Sequence, residues 1–399
     1  MFDSTTRRSF LMAAGTVAAG TVAAVGLAGA SQGAENIPGF ERTIDPEASR
    51  GWQPVSDRKI RVGIAGYGVC RFGADFSFQN HPNVEVVAVS DLIPDRCAGL
   101  ARACRCDKTY PSLEEMVKDE RIEAVFVATD APSHARHCLE ALKHGKHVAT
   151  AVPAVFGSLE EADQVFEAVK TSGLKYMMFE TSCYHDDLHA AREIYKAGGF
   201  GKLVFCEGEY YHYMPTPIDS FKGWRIGLPP QWYPTHSNAY CIGVNHGSYT
   251  EVSCMGIPSI IPHLQPANNR YQNPFGTEVA LFRTSEGGMA RMAVSWDTPG
   301  DEGERGRIRG QKGVYHGSWR GPQTKLPNTR KPPLPPGVEP GGHGGSHGYL
   351  MHEFVMAILQ DRTPLVDVAL ALNMTVAGIV AHQSALKDGE LMKIPQYKL

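Results

Sequence analysis

Gly66-Tyr67-Gly68 stands directly after the apolar run Ile60-Arg61-Val62-Gly63-Ile64-Ala65, and Asp91 follows a second such run, Val84-Glu85-Val86-Val87-Ala88-Val89. Glycine at the end of a buried strand lets the backbone turn sharply and approach a pyrophosphate closely, and a carboxylate about 25 residues further on accepts both hydroxyls of a ribose. Together they point to a bound dinucleotide. The same carboxylate repels a 2'-phosphate, which points to NAD, with NADP the less favoured cofactor; Arg96 is the residue that would favour the phosphate. Arg71 occupies the place of the third small residue of this fingerprint and Gly73 comes two positions late. The helix that follows must therefore pack differently.

To present these groups the chain needs strand, turn and helix in alternation, and its pattern supplies them. Helical signals run from the glycine turn through Phe78 and again over 94–103. Ser112 with Glu115, and Ser158 with Glu161, are capping boxes that open helices, the second ending near Gly173. Residues 124–129, 147–150 and 175–180 read as strands and 134–144 as a helix. This alternation predicts a Rossmann-type, doubly wound parallel α/β sheet over residues 59–180. Beyond Phe200 the strand-like runs 203–211, 278–283 and 290–296 lack crossover helices, which predicts an α+β domain over 181–399 with a large, mainly antiparallel sheet. Residues 321–348, rich in Pro and Gly, read as a long loop. Helices near 349–360 and 366–387 close the chain, with room to pack back on the first domain.

Composition narrows the function. The 399 residues, 42% hydrophobic and 20% charged, suffice for two domains with full cores. A formal charge of -3 without long Lys or Arg runs argues against a nucleic-acid partner. Nine scattered Cys make no disulfide framework, and Cys104-Arg105-Cys106 is too tightly spaced for a zinc pair, so free or buried thiols are expected. His343 and His347 have glycines between them and no Cys or Asp partner, so no metal is expected. Thr6-Arg7-Arg8-Ser9-Phe10-Leu11 and the Ala/Gly/Val run after it read as a twin-arginine signal over 1–35, cleaved after Ala28-Gly29-Ala30. Export by the twin-arginine machinery to the periplasm follows, or tethering if the signal is kept; 36–58 reads as a polar linker, and no later segment reads as membrane-spanning.

Val127-Ala128-Thr129, Pro132-Ser133-His134, His137, Leu142, Gly145-Lys146-His147-Val148 and Pro153 together resemble the N-terminal half of the Gfo/Idh/MocA oxidoreductases, from about Lys59 onward. Where that family usually carries Glu-Lys-Pro the chain has Ala151-Val152-Pro153, so a proton-handling lysine is missing. The second half is similar to the branch containing the NAD-dependent alpha-N-acetylgalactosaminidases, glycoside hydrolase family 109. Tyr233-Pro234-Thr235-His236, Met177-Met178 with Glu180 and Tyr184, and Gly342-His343-Gly344-Gly345 carry that likeness, from which Ala151 and Thr181 depart. The resemblance implies Gly66, Tyr67, Gly68, Asp91, Thr129, His134, Val152 and Thr181 for the cofactor. For the substrate it implies Glu207, Tyr210, His212, Trp224, Arg225, Pro234, Thr235 and His343.

Chemistry asks for the same residue types. Taking hydride from a sugar carbon requires a base for the hydroxyl proton, and His236, jointly with a Tyr233 of lowered pKa, suits that task near neutrality. Tyr184 offers a second acid or base. Arg225 brings forked hydrogen bonds and Trp224 an apolar stacking face for a hydroxylated ring. An exported cofactor has no soluble pool to reset it, so NAD must be carried along and regenerated in the cycle. Three readings follow: sugar oxidoreduction with a partner carbonyl, redox-neutral glycoside cleavage by oxidation, elimination and re-reduction, or a cofactor-retaining sugar-binding protein without turnover. The open sheet of the resembling fold implies a homo-oligomer.

Overall fold

The computed structural model describes residues 41–323 and 325–399; the twin-arginine segment and its cleavage point lie outside them. Strands β1 (Ile60–Ala65), β2 (Val84–Ser90), β3 (Thr109–Tyr110), β4 (Ala124–Val127), β5 (His147–Thr150) and β6 (Tyr176–Met178) form a parallel sheet in the order β3-β2-β1-β4-β5-β6. Helices α1 (Phe72–Asp75), α2 (Pro94–Cys104), α3 (Leu113–Met116), α4 (His134–Lys143) and α5 (Leu159–Ser172) occupy the crossovers. β4 is buried at every position, which is why it reads as an unbroken apolar run. The Ser112 and Ser158 hydroxyls accept from the Glu115 and Glu161 amides at 3.3 and 3.1 Å, and Gly173 ends α5 at φ 66°.

The first crossover departs from expectation. Its helix is a single turn that begins after Arg71 at φ 50° and is broken at Ser77, φ 61°. Gly73 explains how it packs. A Cβ there would overlap the Gly66 carbonyl oxygen and press on Leu100, so the late glycine takes over the close strand-to-helix contact.

After α6 (Asp186–Lys196), strand β7 (Leu203–Tyr211) enters a second sheet. Two short helices, α7 (Thr235–Asn238) and α8 (Ile242–Asn245), precede the meander β8 (Tyr249–Pro258), β9 (Phe275–Thr284) and β10 (Met289–Ser295). Then come β11 (Gly303–Gly310), β12 (Val314–His316), β13 (Ser318–Arg320), α9 (Gly342–Gly345), α10 (His347–Leu359), α11 (Val368–Ala385) and β14 (Met392–Lys393). The order is β13-β12-β11-β7-β10-β9-β8-β14. The sheet is mainly antiparallel, as expected, with one exception: β7 and β10 run parallel, from Phe205 opposite Met289 to Tyr211 opposite Ser295. The excursion over 212–248 carries the chain back before the meander starts, so its third strand returns in the direction of β7. The other named pairs of this sheet are antiparallel.

The last helices pack across both sheets. Phe354 of α10 meets Phe78 edge-on at 6.5 Å between ring centres, the Ala154 amide donates to Thr375 Oγ1 of α11 at 3.4 Å, and the Met178 amide to Val366 O at 3.0 Å. α11 is apolar all round. Contrary to expectation it is long and apolar enough to cross a membrane, but 94% of its apolar window is buried in the core, the pattern of a central helix. The predicted loop after β13 has no regular element until α9 among the described residues, and is tied to the arm before β1 by Leu334 N to Ala48 O at 2.8 Å and a Thr43–Gly341 bridge.

Candidate functional site

The carboxyl edge of the parallel sheet opens into a cleft of about 1050 Å³, walled by the turn 66–71, Asp91, Thr129, His134 and Val152 and roofed by Trp224 and Arg225 from the second domain. Gly66 sits at φ 104°, and a Cβ on it would overlap the Ala128 carbonyl oxygen. Only glycine allows β1 and β4 to end so close together. A Cβ built on Gly68 meets nothing within 4 Å, leaving open space over the turn for a phosphate. Asp91 accepts the Tyr67 amide at 2.7 Å and the Ile93 amide at 2.8 Å, one on each oxygen, and each oxygen keeps a lone pair for a ribose hydroxyl. These residues fit NAD: the glycine turn for the pyrophosphate, Asp91 for a ribose. Arg96, the residue that would favour a 2'-phosphate, lies 3.8 Å from Asp219. The His134 nitrogens face Pro153 O at 2.8 Å and Thr129 O at 3.2 Å, and Thr129 Oγ1 lies 2.8 Å from His137 Nδ1. Both side chains therefore shape the wall by bonding to the protein itself.

An inner cavity of about 670 Å³ shares Cys70, Phe72, Ala151, Val152, Arg225 and Tyr233 with the cleft. Its far wall carries Thr181, Tyr210, His212, His236, Trp296 and His343. Strand periodicity aims Cys206, Gly208 and Tyr210 of β7 inward. A Cβ on Gly208 would overlap Ser237 O, so this glycine lets α7 lie directly on the strand and present His236, which is 3% exposed. His236 Nδ1 is 2.7 Å from Glu180 Oε1 and 3.5 Å from Glu304 Oε1. Glu180 follows β6 and also accepts the Ser182 amide at 3.0 Å; Glu304, on β11 opposite Tyr210, accepts Ser182 Oγ at 2.6 Å and lies 3.4 Å from His185 Nε2. With Nδ1 turned to the carboxylates, the Nε2 edge is left to the cavity.

Burial alone would lower the pKa of His236, but the Glu180 and Glu304 charges outweigh it and raise it to about 9. Burial would raise Glu304; the charge of the neighbouring His236, before any other, holds it down at about 2. Burial pushes Tyr233 and Tyr210 well above the usual phenol range, against the pull of Arg225 on both. His212 and His343 are brought down to about 4, burial being the main cause in each. The Arg225 guanidinium rests on the Trp224 ring at 4.2 Å, ready to meet a ligand with its fork.

Several expectations need correction. Tyr233 lines both cavities, but its hydroxyl is the opposite of a lowered-pKa base. Tyr184 lines neither: its buried ring stacks on Tyr349 at 6.2 Å with Arg192 at 5.7 Å, held away from the cleft by the core behind α6. Pro234 and Thr235 also line neither; Pro234 packs where a Cβ on Gly378 would fall, and Thr235 is fully buried. They seat Tyr233 and His236 instead of touching a ligand. Glu207 falls on the other face of β7 from Tyr210, where Arg307 and Arg291 pair with it. His343, at φ 47°, does reach the cavity, its Nδ1 3.0 Å from His347 Nε2. The sequence reading missed the two acids on His236. Glu180 was noticed only inside a motif. Glu304 had one usable signal, the period-two placement of Glu304 with Gly306 and Ile308 in β11.

Residues 60–180 match the family described as GFO_IDH_MocA, oxidoreductase family, NAD-binding Rossmann fold. The first domain thus matches the NAD-binding domain of that family. The chain is 30% identical to glycosyl hydrolase family 109 protein 1 of Bacteroides fragilis strain YCH46, over 38% of this chain and only 35% of that protein. It is 24% identical to the glycosyl hydrolase family 109 protein of Solibacter usitatus strain Ellin6076, over 99% of this chain and 97% of that one. Among solved structures, levoglucosan dehydrogenase in complex with NADH superposes with a TM-score of 0.69 at 18% identity, covering 85% of this chain and all, 100%, of the other. The two-sheet fold is thus shared with that dehydrogenase over most of the chain.

Proposed function

We propose that this Gfo/Idh/MocA protein is an NAD-dependent oxidoreductase that acts on a sugar or sugar derivative. One observation carries the reading: the dinucleotide cleft and the inner cavity share a wall, and the free edge of a buried, doubly carboxylate-bound His236 faces that cavity. NAD held by the glycine turn and Asp91 would supply hydride exchange. The protein's own groups do the rest. His236 Nε2 manages the proton on the sugar oxygen, Arg225 and Trp224 orient the ring, and the cluster of Phe72, Met214, Leu228 and Trp296 excludes water. The sequence of residues 1–35 supports export with the cofactor already bound, and reset within the cycle.

The relatives named as glycosyl hydrolases support a second reading, redox-neutral glycoside cleavage. Purified protein is expected to carry or bind nicotinamide, and its absorbance near the reduced band to change on adding a responsive member of a sugar panel. No nicotinamide binding at all would refute the oxidoreductase reading. Solvent deuterium entering the carbon beside the hydride donor, with release of an aglycone, selects the glycosidase version; net NAD consumption without cleavage rejects it.

A further inference from the structure

We propose that Glu304, acting with Glu180, makes His236 a proton donor, so that the inner cavity is built to receive a carbonyl compound of the oxo-sugar class and return it as the alcohol. The inference rests on the oxidoreductase reading above and specifies its substrate. One carboxylate on Nδ1 would be enough to orient the ring as a base. Here two share that edge, at 2.7 and 3.5 Å. Glu180 is fully buried and Glu304 nearly so, so water screens neither strongly. Glu304 is also held from behind: Ser182 Oγ at 2.6 Å and His185 Nε2 at 3.4 Å fix its second oxygen and leave the first aimed at the imidazole.

The groups on every other side do not undo this. Thr181 Oγ1, 3.4 Å from Nδ1, adds no charge. Tyr210 and Tyr233, whose rings lie 4.7 and 5.6 Å from that of His236, keep their protons. His212 and His343 stay neutral, burial being the main cause in each, and Arg225 is the cation at the cavity mouth. No carboxylate lines the inner cavity itself among the described residues. Among the groups that face a ligand there, His236 is therefore the acid that gives up its proton most readily near neutral pH. A reduced nicotinamide bound in the cleft would supply hydride to the carbonyl carbon as the π pair moves to oxygen, and His236 Nε2 gives that oxygen its proton. The products are the alcohol, an oxidised nicotinamide and a neutral His236 that still donates from Nδ1 to Glu180; solvent restores the proton.

Glu304 is thus a positioning residue, and its effect is read on His236 directly. In full-length protein, side-chain nitrogen NMR over pH 5–10, with His236 assigned by loss of its signal in His236→Gln, should show both ring nitrogens protonated at pH 7. Glu304→Gln should lower the proton affinity of His236 by about tenfold or more, and Glu304→Asp should largely restore it. A neutral His236 at pH 7 in the parent, or an unmoved titration in folded Glu304→Gln, overturns the proposal. At pH 7 a panel of oxo-sugars should oxidise bound NADH faster than the matching alcohols reduce bound NAD; the reverse order also overturns it. NADH titration run separately distinguishes the cases, since failure to bind dinucleotide sinks the oxidoreductase reading while leaving the His236 titration interpretable.

Discussion

A carboxylate and an imidazole decide the chemistry at the smallest scale. Asp91 spends one lone pair per oxygen on the Tyr67 and Ile93 amides, so a ribose meets a carboxylate already fixed in place. Asp91→Ala removes charge-assisted bonds, each worth about 1.5–3 kcal/mol. NADH titration by fluorescence should show affinity weakened about tenfold or more; unchanged affinity removes Asp91 from the site. Glu180 stands differently, because its partner is buried with it. Glu180→Ala strands His236 without its nearest acid, and loss of one member of a buried pair costs about 3–5 kcal/mol. Chemical denaturation should register that drop, and a change under about 1 kcal/mol would show the pair to be solvated.

Elements hold these groups through close contacts that only glycine permits. Gly208 lets α7 rest on β7, and Gly378 lets α11 rest on the segment that carries Gln231 and Pro234. Gly208→Ala forces the Ser237 carbonyl outward and His236 with it. Overpacking of this kind costs about 1–3 kcal/mol, and the His236 signal should shift as its carboxylate contacts lengthen. A variant with parental stability and an unmoved His236 resonance would mean that α7 has slack the structure does not show. The same scale explains Tyr184: the short helical turn that follows Glu180 points the tyrosine toward α10, while Thr181, three residues earlier, reaches the cavity.

The whole molecule buries an unusual set of histidines, and its pH response follows. His81 is lowered to about 3 and His137, His212, His343 and His352 to about 4, burial being the first cause in each. A folded pKa below the unfolded one means that the unfolded chain binds more protons, so stability falls as pH drops from about 6.5 toward 4. His236 has the opposite sign: its contribution is complete below about 6.5 and is lost as pH rises through about 9. Calorimetric Tm should therefore fall steeply on the acid side and gently on the alkaline side. A flat profile between pH 4 and 6.5 would show these histidines to be hydrated.

Local chemistry made much of this legible in the sequence. Buried parallel strands are apolar on both faces, serine caps announce their helices, and a glycine turn followed by an acid has few uses other than a dinucleotide, so β1, β2, α5 and the Asp91 corner could be placed from residue types alone. What depended on partners distant in the chain could not. The parallel β7–β10 pairing, the departure of Tyr184 and Glu207 from the site, and the charge on His236 were each settled by the fold. The reason is physical: a side chain's type fixes what it can do, but its ionisation and direction depend on neighbours 56 and 68 residues away, Glu180 and Glu304, that only tertiary packing brings within 2.7 and 3.5 Å.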